Sequence, residues 1–421
     1  MKRFFQMTDA HTSQRIHYAW IILIMGTLGV FGALGLARFG YTVVLPSMQE
    51  GLHMDNTQAG ILATANLIGY LALCAIGGAL ASRFGPRSVL SIGLFLCAAS
   101  MILTGLVNDM QTAAVFRAVT GLGSGAANIS VMGMMSAWFT AKRRGFASGI
   151  AVSGSSLALI VLGPLVPRIL SSFQVDGWRV CWFVFGGITL LLSLASFFLI
   201  RNHPEEKGLE PLGKNPGTTF VEREKKESVQ WRRVYRSFPV WNLGLVYVAF
   251  GFSYIIYMTF FTKKLVAEGG YSQLDAGKLF MIMGWLSLFC GLIWGSISDR
   301  IGRKQTLAAV YFVQAVSFSL FALWTKPFGF TLSAILFGLT AWSIPAVMAA
   351  ACGDMLGSRM APAALGFITL FFGVGQAVGP SIAGIIADFY GSFSPAFLLA
   401  GIVALLGSIG SFFLKPERRE S

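Results

Sequence analysis

The chain reads as long apolar runs cut by short polar turns. Twelve runs can be drawn, roughly at 18–45, 57–81, 87–107, 111–138, 144–168, 178–200, 239–262, 273–298, 305–325, 329–354, 362–387 and 393–414. A helix that crosses the hydrocarbon of a bilayer needs about 20 mainly apolar residues, so each run is long enough to span once. The one long polar stretch, 201–238, holds Pro204, Pro211 and Pro216 and separates six runs from six. The pattern predicts an all-α membrane protein of twelve transmembrane helices in two six-helix bundles. Its expected parts are a tail at 1–17, a bundle at 18–200, a linker at 201–238, a second bundle at 239–414 and a tail at 415–421. The end of the linker, Trp231 to Arg236, alternates aromatic and arginine side chains and reads as an interfacial helix. The first 17 residues are polar and the first apolar run is too long for the core of a cleavable signal peptide.

Composition agrees with a bilayer as solvent. Residues of apolar type make up 55% of the chain and charged residues 12%, where a soluble domain carries about 25% charge. A net charge of +14 invites a nucleic-acid reading, but the placement of the charges argues against one. Of 32 Lys and Arg, 24 fall in the tails, the linker and the turns of one face, six fall on the other, and Arg38 and Arg117 lie inside apolar runs. That asymmetry puts both termini and the linker in the cytoplasm, with a bacterial-type inner membrane as the expected location. The five cysteines all sit in apolar runs, with neither metal-ligand nor disulfide spacing. No zinc motif, phosphate loop or nucleophile elbow is present, so no catalytic residue, metal or cofactor is expected and an enzyme is not.

A repeat runs through the chain. Gly295-Ser296-Ile297-Ser298-Asp299-Arg300-Ile301-Gly302-Arg303-Lys304 is a compact basic turn, and Gly78-Ala79-Leu80-Ala81-Ser82-Arg83-Phe84-Gly85-Pro86-Arg87 is its eroded copy 217 residues earlier. Gly163-Pro164 and Gly379-Pro380 keep nearly the same offset, 216 residues. Two motifs at one spacing point to an internal duplication.

Six plus six runs, a central linker and a duplicated basic turn after the second run of each half resemble the major facilitator superfamily. So does Arg117-Ala118-Val119-Thr120-Gly121-Leu122-Gly123 in the fourth run, which is similar to that family's Arg-x-x-x-Gly-x-Gly pattern. The resemblance covers nearly the whole chain. It implies two bundles rocking about a site near the midplane, lined by the first, fourth, seventh and tenth helices, in a chain that works as a monomer. It also implies that Asp299, Arg300 and Arg303, with Arg83 and Arg87 in the first copy, form a conformational latch. The bland alternative is that these basic turns only orient the chain. Ser82 stands where the family has Asp, so the first copy lacks a charge pair. Gly163, Pro164, Gly379 and Pro380 suit helices that flex or helices that pack closely, and both readings stay open.

The sharpest chemical signal is a pair of buried cations. Arg38 lies eight residues before Pro46 at the end of the first run, and Arg117 six residues into the fourth. A charge within a membrane segment is costly and faces a cavity or a partner. No Asp or Glu lies well inside any of the twelve runs, so an anionic small molecule is the expected counter-ion, held bidentately by guanidinium. Structure or coupling is the alternative for Arg117, and outward snorkelling for Arg38. Arg38, Arg117, Asn128, Tyr254, Tyr257 and Trp342 are the candidate substrate residues. Asn66, Tyr70, Trp285 and Gln376 read first as packing.

The leading expectation is a secondary transporter of a small organic anion, such as a monocarboxylate, coupled to a proton or a counter-substrate. An efflux carrier for apolar compounds is the alternative, favoured by 16 Met and 36 Phe, and a transporter-like sensor is a third. The oxalate and monocarboxylate branches that the family offers place a basic residue in the eighth helix. Here that helix carries only Lys278, near its outer start.

Overall fold

A computed structural model describes residues 17–213 and 234–414. The expected interfacial helix at Trp231 to Arg236 begins outside these residues. Helices α1 (Ala19–Gly51), α2 (Asn56–Phe84), α3 (Pro86–Thr104), α4 (Met110–Trp138), α5 (Ala141–Val152 continued by Gly154–Phe173) and α6 (Gly177–Leu199) build the first half. Helices α7 (Phe238–Ala267), α8 (Gln273–Ile301), α9 (Arg303–Leu323), α10 (Pro327–Leu356), α11 (Ala363–Tyr390) and α12 (Ser394–Phe412) build the second.

Among the described residues, ten stretches are long and apolar enough to cross a membrane, and one of these, Arg143–Leu199, holds both α5 and α6. The twelfth helix, α4, falls short on apolarity because it is rich in small residues. A Cβ on Gly121 would collide with the Asn66 carbonyl, one on Gly123 would crowd the Gly93 carbonyl, and one on Gly125 the Tyr70 carbonyl. Its glycines therefore serve close backbone approach to α2 and α3. The outer surface is apolar in turn: Ile24, Leu191, Leu245 and Phe389 are all more than half exposed, which suits lipid contact and no soluble fold.

Both copies of the basic turn pivot on a glycine in the left-handed region, Gly85 at φ 81° and Gly302 at φ 96°. That conformation explains why glycine survives in both copies while Asp does not.

Two helices depart from α geometry. Over Phe31–Phe39, α1 widens into a π-helix, whose i→i+5 bonds give way to i→i+4 bonds from Gly40 onward. Helix α10 is helical over Pro327–Gly338, turns at 339–342 and resumes at Ser343. From Ser343 the backbone stays helical through Tyr390, yet it doubles back between α10 and α11: the Cβ of Ala361 lies 4.0 Å from the place a Cβ on Gly353 would take.

The halves meet along two antiparallel pairs, α2 with α11 and α5 with α8, which exchange when the halves are exchanged. A Cβ on Gly60 would strike the Pro380 carbonyl, one on Gly384 the Asn56 carbonyl, and Gly163 and Gly277 press backbone to backbone. About four to five turns further along each pair the contact is gone: Gly78, Gly366, Gly149 and Gly291 have no neighbour within 4 Å of an added Cβ. The molecule is thus sealed at the end remote from the termini and splayed at the end that carries them.

Candidate functional site

The site forms at mid-depth, where the π segment of α1 meets the broken α10: the rings of Phe39 and Trp342 lie 5.5 Å apart. Irregular backbone at membrane depth is tolerated only where protein or a cavity satisfies it, and here protein does so. Arg117 Nη1 donates to the Ala37 carbonyl (2.6 Å) and Ser124 Oγ to the Ala33 carbonyl. Ala37 sits in the change from π to α turns, where one carbonyl loses its in-helix donor. In α10, Trp294 Nε1 donates to the Leu339 carbonyl (2.9 Å) and Gln314 Nε2 to that of Thr340 (3.2 Å).

Arg117 is fully buried, with its guanidinium over the rings of Tyr41 (4.7 Å) and Trp182 (5.2 Å). Its Nε is buried without a partner. Arg38 differs. It is 8% exposed, its guanidinium lies over the Tyr70 ring at 4.3 Å, and both Nε and Nη2 are buried without a hydrogen-bond partner. Both arginines line one cavity of about 10 Å³, room for a single water-sized group. Thr42, Asn66, Ile255 and Thr259 also line it, so both halves contribute.

Tyr254 comes to Arg38 from the second half. Its hydroxyl accepts from Gln376 Nε2 and lies within hydrogen-bond reach of the Arg38 guanidinium. Having accepted from Gln376, the hydroxyl has its own hydrogen left to give. Trp342 is edge-on to Tyr254, with centroids 6.3 Å apart, and its Nε1 donates to Ser156 Oγ (3.0 Å), which also accepts from Ser287 (2.8 Å). The groups left unsatisfied in this cavity are the Arg38 Nε and Nη2 and Arg117 Nε donors and one acceptor, Asn66 Oδ1, and no carboxylate is among them.

The structure therefore brings Arg38, Arg117, Tyr254 and Trp342 together. It does not bring Tyr257, whose hydroxyl bonds Ser333 (2.8 Å) amid Phe261, Phe318, Phe321 and Phe337 inside the second half. Asn128 stands one layer back, with Nδ2 on the Tyr70 hydroxyl at 2.9 Å. Tyr70 and Gln376, read from sequence as packing, sit against the site instead.

The basic turns bond within their own halves. Arg303 joins Asp299 (2.6 Å), Ser298 (2.8 Å) and Asp354 (2.8 Å), tying α8, α9 and α10 together, while Arg300 is exposed. Arg87 Nε donates to the Phe197 carbonyl of α6 (2.8 Å), and Arg83 lies over the Phe84 ring. Gly163 and Pro380 lie in the sealed seam between the halves, and Gly379 packs against α7.

The fold and this mid-depth site are those of a membrane carrier. The sequence profile of the Major Facilitator Superfamily matches residues 27–323 and 265–421, and the chain belongs to that family of transporters. It is 26% identical to a probable sulfoacetate transporter of Cupriavidus necator, over 96% of this chain and 95% of that one. It is 24% identical to the hexuronate transporter of Bacillus subtilis, over 94% of each. With human monocarboxylate transporter 2 it shares 22% identity over 93% of this chain and 84% of the other. In fold it is similar to a bacterial homolog of the human lysosomal transporter Spinster, solved in an inward-facing and unoccupied conformation (TM-score 0.71, 15% identity, covering 94% of this chain and 95% of that chain).

Proposed function

We propose that this protein is a secondary active transporter that carries a small organic anion across a bacterial-type inner membrane by alternating access. The observation that carries the reading is the unpartnered Nε and Nη2 edge of Arg38 in a site without a carboxylate. A carboxylate or sulfonate accepts two parallel bonds from such an edge. The Tyr254 hydroxyl supplies a third donor, and Phe39 and Trp342 give the body of the molecule an apolar wall. One free edge suits one acidic group, which favours a monocarboxylate. The names of the relatives, carriers of sulfoacetate, hexuronate and monocarboxylates, support the anionic class.

Arg117 holds the π segment of α1 in shape and adds positive potential. The bundles at 18–200 and 239–414 rock as units, monomeric, with both termini and the linker at 201–238 cytoplasmic, so the splayed end faces the cytoplasm. The basic turns, bonded within their halves in this state, latch that end when it closes. Gly163-Pro164 and Gly379-Pro380 let the seam part. With no carboxylate at mid-depth to carry a proton, a counter-anion is the better coupling partner.

Uptake and exchange of radiolabelled lactate, sulfoacetate and glucuronate in proteoliposomes tests this directly. Saturable anion transport that Arg38→Ala removes supports the reading. Transport of neutral or cationic drugs with no anion uptake would sink it and favour the efflux alternative, which the aromatic wall of the second half would then serve.

A further inference from the structure

Nothing in the first half carries the charge partner that a buried guanidinium ordinarily requires, yet Arg38 is held in place. Within its own half, what holds it is a ring. Its guanidinium carbon sits 4.3 Å from the centroid of Tyr70, on α2, and no salt bridge reaches it among the described residues. We propose that Tyr70 is the positioning residue of the transport site: its ring face steadies the Arg38 guanidinium from one side and leaves the in-plane Nε and Nη2 donors free for the substrate's anionic group. This inference rests on the reading of Arg38 given above.

The rest of the local structure is arranged around that ring. Tyr70 is nearly buried, and its hydroxyl is fixed by Asn128 Nδ2 at 2.9 Å. Its backbone is fixed by the glycines of α4, since a Cβ on Gly121 would crowd the Tyr70 nitrogen at 2.8 Å and one on Gly125 the Tyr70 carbonyl at 2.6 Å. The Arg-x-x-x-Gly-x-Gly-x-Gly pattern that begins at Arg117 thus does a second job: it brings α2 close enough to lay Tyr70 under Arg38. The chemistry of the support matters. A carboxylate in this place would take the two donors and cancel the charge. A π face attracts the cation while occupying neither donor, so the site keeps both its charge and its hydrogen-bonding edge for an incoming anion.

The test is binding of lactate and sulfoacetate to the full-length purified protein by calorimetry, for the native chain and for Tyr70→Phe, Tyr70→Leu, Arg38→Lys and the Arg38→Lys/Tyr70→Leu double variant. Tyr70→Phe keeps the face and should bind within about threefold of the native chain. Tyr70→Leu loses it and should bind about 10- to 30-fold more weakly, the range a desolvated cation–π contact covers. In the Arg38→Lys background, where no planar group remains to be oriented, the same Leu change should cost less than about threefold, a non-additivity that mere loss of packing does not produce. If Tyr70→Leu does not fold, Tyr70→Met, which fills the gap flexibly, takes its place. Native affinity in the Leu or Met variant, or equal losses in both backgrounds, overturns the positioning role. Weak binding by Tyr70→Phe as well would overturn it too, because the hydroxyl rather than the face would then be at work. Should Arg38→Ala itself bind both anions as the native chain does, the substrate reading of Arg38 fails and not only the part played by Tyr70.

Discussion

The two halves are copies of one plan, and they have been spent differently. The first supplies both mid-depth cations. At the 217-residue offset of the repeat the second has Ile255 where the first has Arg38, and Ala334 where it has Arg117. Ile255 lines the same cavity as Arg38 and adjoins Tyr254 in sequence, so one half brings charge and the other the apolar and aromatic wall. The basic turns diverge the other way. The second copy keeps Asp299 and builds a three-helix tie through Arg303 and Asp354, whereas the first, with Ser82, has Arg87 on the carbonyl and ring of Phe197 and its backbone nitrogen on Asn202 Oδ1, with no carboxylate. Duplication fixed the scaffold and its glycine pivots; the side chains that carry charge were free to be assigned to one half only.

The largest expected effect breaks the first half itself. Arg117→Ala removes the donor on the Ala37 carbonyl and two ring contacts at once. The protein should lose about 3 kcal/mol of stability, read as a large fall in melting temperature in detergent. The next variant sharpens the difference between the two arginines. Arg38→Ala deletes a cation with no protein acceptor on Nε or Nη2, so the melting temperature should hold or rise, while anion affinity should fall on the order of 100-fold. If both variants melt alike and bind alike, the two arginines do not divide into one structural and one ligand-binding residue.

Third comes the pair of turns. Arg303→Ala breaks bonds to two carboxylates and should cost about 1 kcal/mol. Arg87→Ala should cost about half of that, because it loses a carbonyl bond and a ring contact but no carboxylate. Thermal melts of the two variants side by side check the ranking, and equal losses would mean that the erosion at Ser82 has no energetic counterpart.

Much of this was legible in the chain. Apolar run length gives the helices, and a charge inside such a run is conspicuous, which is why Arg38 and Arg117 stand out. Tyr254 and Trp342 follow once the first, fourth, seventh and tenth helices are taken as the lining. Tyr257 misleads because it is three residues from Tyr254, about 60° away around the helix, and that turn is enough to bury it in the second half's own aromatic core. Asn128 was read as a ligand because it shares a face with Arg117; its partner Tyr70 lies on another helix, and no spacing along α4 reveals it. The π segment was invisible for a similar reason. Nothing in Phe31–Phe39 forbids ordinary α turns, and the wide ones hold because Arg117 and Ser124, far along the chain, satisfy the carbonyls they disturb. Local pattern locates a residue on a helix face, and what that face meets is decided by a different stretch of chain.

The last expected effect is the one that joins the halves. Asp388, at the sealed end of α11, accepts from the backbone nitrogens of Asn56 (3.1 Å) and Thr57 (2.7 Å) and from the Thr57 hydroxyl (2.6 Å). It caps the N-terminus of α2 from the other half, 331 residues away. A helix start leaves free N–H groups and carries partial positive charge, so a carboxylate there favours the sealed outer end. Opening that end must break all three bonds. Asp388→Ala should therefore shift the balance toward the outward-open state by roughly 1 kcal/mol, the usual worth of a cap, or about fivefold in population. Asn caps a helix nearly as well as Asp, so Asp388→Asn should keep most of the bias if hydrogen bonding carries it and lose it if charge does. Spin-label distances between the outer ends of α2 and α11 read the populations directly. An unchanged distribution in Asp388→Ala would show that the glycine seam at Gly60–Pro380 and Gly163–Gly277 closes the outer end unaided, and that the charge asymmetry between the halves does not extend to the gate.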